Sequence, residues 1–315
     1  MNPALRVAAA GPYSTLQDCG RFGYQRFGVS PAGAFDPLRL AAANALVGNA
    51  PGTAAIEITM LGDTYEVMAH GARLALAGDF ALQIDGTPAE PWRSHRLARG
   101  QKFKIGMAKR GLRGYVAVEG GFAVPPTLGS LSTHVRTGIG GFGGAKLKAG
   151  DLLPLSLGEA PERPALRLDP AAWASPSAEL RVVFGPQDDY FTAEGRATLL
   201  AAEYEITREA DRMGYRLSGP KIAHAKGFDI VSDGMPPGAV QIPGTGTPIL
   251  LLVDRQSAGG YPKIATVISP DIAALAQKRP GDKLRFRSVD AREARHAALD
   301  FRGRIDGMAR LAEPV

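Results

Sequence analysis

Residues 11–62 read GPYSTLQDCGRFGYQRFGVSPAGAFDPLRLAAANALVGNAPGTAAIEITMLG, which sets Gln17, Asp18, Arg21, Asp36, Asn44, Asn49 and Glu57 among glycines and short apolar runs. Asp36-Pro37 predicts a helix start, because the carboxylate can accept the free N–H groups of a first turn and proline has no N–H to orphan there. Leu40, Ala43, Leu46 and Val47 then form one apolar helical face, and Gly48 supplies a residue that tolerates positive φ at the end. The spacing predicts a helix over 37–47. Ahead of it, Gly20, Gly23, Gly28 and Gly33 interrupt any regular element, which puts Asp18 and Arg21 on a loop. The positive end of the helix dipole would face that loop, a place for an anion.

The chain has 315 residues, enough for one large domain or two lobes. Its 39 glycines exceed the usual ~7 percent and imply many turns and short strands. There is no apolar run of the ~20 residues a membrane helix needs and no basic leader followed by an apolar core. Cys19 is the single cysteine, so no intrachain disulfide can form. These features predict a cytoplasmic protein. The net charge of +6 is mild. Eight basic residues fall between Arg93 and Arg113, but Lys102-Phe103-Lys104-Ile105 alternates as the wet face of a strand does, and no stacking aromatics accompany the charge.

Alternation predicts strands between Ala72 and Ile84, at Leu112–Phe122, at Leu180–Phe184 and at Pro248–Val253, with a turn at Asp85-Gly86. Residues 138–143 match GxGxxG formally, yet no helix pattern follows, which argues against a dinucleotide site. Residues 158–178 are rich in proline and alanine and read as a linker. A short helix should end near Ala201, another should start at Ser269-Pro270-Asp271, and Asp290 with Glu293 predicts a capping box for a C-terminal helix carrying Leu299, Ile305 and Met308 on its apolar side. Residues 209–219 echo 18–28, with Arg, Gly, Tyr and Gly in register, which hints at one design used twice. Five scattered histidines make a metal site improbable. Ser130, Ser132 and Thr133 suit either a ligand carbonyl or a serine-rich turn, and the pairs Asp18-Arg21 and Asp211-Arg212 suit either ligand binding or loop bracing.

The patterns QDxGRxGxxxxG from Gln17 and GAxDxxxxxxANxLVGN from Gly33, followed by the Glu57 strand, resemble the opening of the biotin-dependent carboxyltransferase family. That family includes allophanate hydrolase subunit 2, KipA, the C subunit of 5-oxoprolinase and the C-terminal half of the urea carboxylase carboxyltransferase domain. The resemblance continues through the double glycine 120–121, LGSxST from Leu128, GDxL from Gly150, GPQxDxF from Gly185, the S-D-R-M-G-like run ending at Gly214, and GGYPKIA from Gly259. Ala145, beside Lys146, stands where many relatives have arginine, and Ala210 where serine is common.

The resemblance implies a mainly β fold, a cyclophilin-like β-barrel architecture in two β-rich lobes (1–165 and 178–288) with a few short helices and a C-terminal helix over 289–315. It implies the role of the C subunit in an ATP-dependent 5-oxoprolinase, with ATP shared with a partner chain. The implied partners are a KipI-like B subunit, the A subunit of the same enzyme, and a small amide or lactam as substrate. Two alternatives stay open: a urea carboxylase-like carboxyltransferase half that uses biotin, or a KipA-like antagonist of a KipI-like kinase inhibitor. For the first role, Arg21 or Arg212 would hold the substrate carboxylate, Gln17 and Gln241 would orient the lactam, and Lys263 would steady negative charge. Asp18, Ser132, Asp254 and Tyr261 complete the candidate set.

Overall fold

A computed structural model describes residues 3–172 and 179–315. Residues 173–178 of the expected linker lie outside the described residues. The chain forms two compact units, one of residues 1–21, 32–174 and 303–315, the other of residues 22–31 and 175–302.

The first unit holds β1 (Ala4–Ala9), β2 (Ser14–Gln17), α1 (Pro37–Leu46), β3 (Ala55–Thr59), β4 (Thr64–Val67), β5 (Gly71–Ala77), β6 (Phe80–Ile84), β7 (Thr87–Ala89), β8 (Ser94–Ala98), β9 (Lys102–Ala108), β10 (Arg113–Val118), β11 (Leu152–Pro154) and β12 (Leu166–Arg167). One sheet runs β11-β1-β4-β9-β6-β7 and another β2-β3-β10-β5-β8. Val7, Tyr65, Phe80 and Phe103 of the first and Leu16, Ile56, Leu74, Leu76 and Val116 of the second belong to one buried core. On β9 the lysines 102 and 104 are exposed while Phe103 and Ile105 are buried, as their alternation predicted. Asp85 and Gly86 both take positive φ (49° and 81°) and turn β6 into β7.

The five-stranded sheet is buried on both faces. Its second face presents Ala55, Ala75, Ala77, Tyr115 and Ala117, all fully buried, and α1 packs there against β3, β5 and β10. Small side chains on the sheet and the alanines 41, 42 and 45 of the helix allow that close approach. The helix begins and ends as its sequence predicts: the Asp36 side chain accepts from Arg39 N–H, and Gly48 follows with φ 70°.

The second unit holds β13 (Glu179–Phe184), α2 (Ala193–Ala201), β14 (Tyr204–Ala210), β15 (Gly214–Ser218), β16 (Asp233–Gly234), β17 (Ala239–Gln241), β18 (Ile249–Leu251), β19 (Ala258–Gly259), β20 (Lys263–Val267), α3 (Ser269–Leu275), β21 (Lys283–Ser288) and most of α4 (Ala291–Gly307). Seven strands close a barrel in the order β13-β20-β17-β18-β15-β14-β21. The β13–β21 pair is parallel and the other pairs are antiparallel. Leu180 and Val182, Tyr204 and Ile206, Tyr215 and Leu217, and Leu284 and Phe286 are buried with the period of two that a strand demands. A final short strand, β22 (Glu313–Pro314), pairs with β12 in the first unit.

Two sequence expectations change. Residues 18–28 form a loop and a 3-10 turn, whereas 209–219 form the β14–β15 hairpin, so their shared residues do not mark one repeated design. The helix α4 has no buried residue; Leu299 is 60% exposed, Ile305 is half-buried, and Met308, which is buried, lies just beyond the helix. Its capping box is half formed, since Asp290 accepts from Glu293 N–H at 2.7 Å while the Glu293 carboxylate pairs with Arg287 at 2.8 Å. Among the described residues no helix is long and apolar enough to cross a membrane.

The Tyr204 hydroxyl is buried in the second unit with no hydrogen-bond partner among the described residues, and burial pushes its pKa up to about 12. An unpaired buried hydroxyl costs about 1–3 kcal/mol. Tyr204→Phe removes that cost while keeping the ring against Phe286, so the melting temperature should rise by at least about 2 °C in a thermal scan; a fall would mean that the hydroxyl is satisfied.

Candidate functional site

The first-unit candidates meet where β2 runs out. Asp18 lies just past the strand, and its carboxylate accepts from Ser130 Oγ (2.6 Å), Ser132 Oγ (2.5 Å), Leu131 N–H (2.7 Å) and Gly20 N–H (2.8 Å). Arg21 is buried, with Nη2 donating to the Ser132 carbonyl and Nε to the Thr127 carbonyl at 3.5 Å. Asp18 and Arg21 therefore both grip the 127–132 segment. Gln17 is fully buried; its Nε2 donates to the Thr133 carbonyl and to Thr15 Oγ1, both at 3.0 Å, and its Oε1 has no partner among the described residues. Gln17, Asp18, Arg21 and Ser132 lie together, and the geometry uses most of their hydrogen-bonding capacity internally.

The anion place predicted at the start of α1 is filled from within. Besides the Asp36 cap, the Glu57 carboxylate accepts from Phe35 N–H at 2.9 Å and from the Tyr115 hydroxyl at 2.5 Å, and that hydroxyl accepts from Asp36 N–H at 2.8 Å. Burial, reinforced by Glu57, raises the Tyr115 pKa well above its ordinary value. Arg113 adds its charge, 3.7 Å from Glu57 and stacked over Phe35 at 4.4 Å. Glu57 sits on a strand with apolar neighbours, a signal of a buried acid, but its partners lie far off in the chain.

The second-unit candidates cluster around β17, β20 and the loops beside them. Arg212 and Asp254 form a buried two-pronged pair, Nε and Nη2 each 2.9 Å from a carboxylate oxygen. Asp211, the sequence neighbour, instead accepts from Met213 and Gly214 N–H. The Arg212 fork is thus committed to Asp254, and neither residue offers its main charge to a ligand.

Lys263 differs. It is 1% exposed, yet its only side-chain partner among the described residues is Asp233, at 2.7 Å, and Asp233 is 51% exposed. Gln187 completes the group: its Oε1 accepts from Lys263 N–H at 3.2 Å, and its Nε2 donates to the Asp233 carboxylate at 3.3 Å. Across the strand pair, Gln241 donates to the Tyr261 carbonyl at 3.1 Å and keeps its Oε1 without a partner among the described residues. Tyr261 is 41% exposed. At Gly259 a Cβ would come within 3.1 Å of Gln241 Nε2, 3.3 Å of Met235 Cε and 3.4 Å of Gln256 Nε2, so a larger residue would push on the ends of these side chains. The Lys263 ammonium holds the Asp233 carboxyl below its ordinary pKa.

Sequence reasoning passed over Asp233, Gln187 and Arg255. Arg255 is buried, donates to the Met235 carbonyl at 2.6 Å and the Leu252 carbonyl at 3.2 Å, and has no ion pair among the described residues; burial pushes its pKa down to about 10. The signal for Arg255 was its place between Asp254 and Gln256; for Asp233 there was none beyond an Asp-Gly turn. No group of acids, histidines or cysteine among the described residues could hold a metal ion.

Residues 27–288 match the family model "Carboxyltransferase domain, subdomain A and B". The chain is 36% identical over 297 residues to the 5-oxoprolinase C subunit of Escherichia coli, covering 94% of each. It is likewise 36% identical over 289 residues to the 5-oxoprolinase C subunit of Haemophilus influenzae, covering 89% of this chain and 90% of that one. Among solved structures it superposes on the K. lactis urea amidolyase with a TM-score of 0.89 at 26% identity, covering 98% of this chain and 20% of that one. The chain belongs to the carboxyltransferase domain, subdomain A and B family.

Arg212→Ala removes the two-pronged partner of the buried Asp254 carboxylate and should lower folding stability by about 3–5 kcal/mol in denaturant unfolding. Asp233 contributes through a depressed folded-state pKa, so its contribution is present above the unfolded value of about 3.9 and lost as pH falls through the folded one. The stability gap between wild type and Asp233→Asn should therefore narrow on acidification from neutral pH, and a gap that widened would contradict the pairing.

Proposed function

We propose that this chain acts as the C subunit of an ATP-dependent 5-oxoprolinase, inactive by itself and assembled with a KipI-like B subunit together with the A subunit. The observation that carries the reading is the end-to-end likeness to proteins of that name, 94% of both chains for the E. coli relative. The Lys263 group supports a place for a small anionic amide. Its ammonium meets negative charge on the substrate, whether carried as a carboxylate or developing on the lactam oxygen. Gln241 Oε1 can accept from an amide N–H, and the Tyr261 hydroxyl can donate to a carbonyl. Arg21, Arg212, Asp18, Ser132, Gln17 and Asp254 then serve by holding the loops. ATP belongs with the assembled complex, where it activates the lactam that the A subunit opens to glutamate.

The likeness to the urea amidolyase favours a second reading, transfer of a carboxyl group from biotin to an amide, although the chain spans only 20% of that protein. The residues fit the demand, since a ureido oxygen needs donors and Lys263 and Tyr261 are donors. Bound carboxybiotin would supply the carboxyl group to be moved.

The two readings separate in one assay. Mixed with its two partner chains, 5-oxoproline and ATP, the chain should be required for glutamate release, and Lys263→Met should reduce turnover at least about tenfold, the order expected for losing one preorganised charge. Release that is indifferent to this chain would sink the oxoprolinase reading, and turnover dependent on carboxybiotin would establish the second. Tight partner binding with neither turnover would point to a regulator.

A further inference from the structure

We propose that Asp233 is the resident counter-ion of Lys263, occupying a site for a small carboxylate that displaces it. This rests on the Lys263 group being the ligand site of the reading above. An ammonium taken out of water must be paired with an opposite charge. Here the buried member is the lysine, 1% exposed, and the carboxylate that satisfies it is half in solvent at 51% exposure. Besides the ammonium, the carboxylate is held only by Gln187 Nε2 at 3.3 Å and by the adjacent Gly234 N–H at 2.7 Å among the described residues.

Lys263 can donate three hydrogen bonds, and its ammonium makes one among the described residues, to Asp233. Two N–H directions remain for an incoming group. The strand carrying Asp233 is two residues long, pairs with Ala258-Gly259, and follows Val231 and Ser232, which are exposed, as are Asp233 and Gly234 themselves. Little packing holds the carboxylate in place. Gly259, which pairs with Asp233, and the following Gly260 carry no side chain.

Exchange of one carboxylate for another keeps the lysine paired throughout, so it avoids the cost that a neutral ligand would incur by breaking the bridge. Gln187 stays in place as the exchange proceeds, because its carbonyl oxygen accepts from the Lys263 backbone and only its amide touches Asp233. The ligand class is a single small carboxylate or carbamate, presented end-on to the ammonium.

Acetate is the probe, and thermal melting of the full chain is the readout, so the result does not depend on partners or turnover. In Asp233→Ala the vacated place should take acetate. At a concentration about ten times the dissociation constant, acetate should raise the melting temperature by about 2–4 °C. The same concentration of chloride should not. In Asp233→Ala combined with Lys263→Met the acetate shift should vanish. Asp233→Asn, which retains a polar contact for the ammonium, serves as a second host and should show a smaller shift of the same kind. Equal acetate and chloride shifts, an acetate shift that survives loss of Lys263, or variants that stay unfolded in acetate would each overturn the proposal. Its failure would leave the oxoprolinase reading untouched, because glutamate release is measured separately; loss of that reading with acetate binding intact would leave a carboxylate site awaiting another substrate.

Discussion

A charge removed from water has to be met by an opposite charge or by several hydrogen bonds, and this protein meets that constraint in three different ways. Asp18 is met by hydroxyls and N–H groups, most of them from a single loop. Arg212 and Asp254 meet each other with a matched fork and carboxylate. Lys263 is met by one carboxylate that reaches in from the surface. The first two arrangements exhaust the charged groups that form them. The third leaves capacity over, and that difference is what separates framework from candidate site in a chain where all three motifs look alike on paper.

The backbone architecture makes these arrangements possible. A sheet buried on both faces must be lined with small residues where a helix lies on it, and Ala75, Ala77 and Ala117 provide that surface. Tyr115, a large polar side chain on that face, is tied down by Glu57 and by the start of the helix. In the second unit a closed barrel removes free edges from the strands that carry Gln241 and Lys263, so their backbones are fixed by neighbours on both sides. The residues that meet them come from irregular segments, which gives the site one rigid wall and one soft one.

Much of this was legible beforehand where the physics is local. The α1 boundaries followed from Asp36-Pro37 and Gly48, the lysines of β9 from simple alternation, and the lack of a helix after 138–143 from the missing helix pattern, where Gly138, Gly140, Gly141 and Gly143 take positive φ. The α4 helix was visible too, but its expected packing was not, because an amphipathic pattern says which face is apolar and not whether anything covers it. The loop at 18–28 and the hairpin at 209–219 share residues and differ in fold, since four identities cannot outweigh the strands that pair with one segment and not the other.

What the sequence determined by itself was therefore the mainly β character, the helix positions, the family, and the short set of polar residues worth watching; each depends on neighbours a few positions apart or on motifs read in order. What only the tertiary structure decided was the partner of each charge. Arg212 stands beside Asp211 in the chain and binds Asp254, Glu57 waits for Tyr115, and Lys263 is satisfied by Asp233, a residue no motif singled out. Coulomb attraction and desolvation act through space at a few ångströms, and sheet registry between distant strands chooses which side chains share those few ångströms.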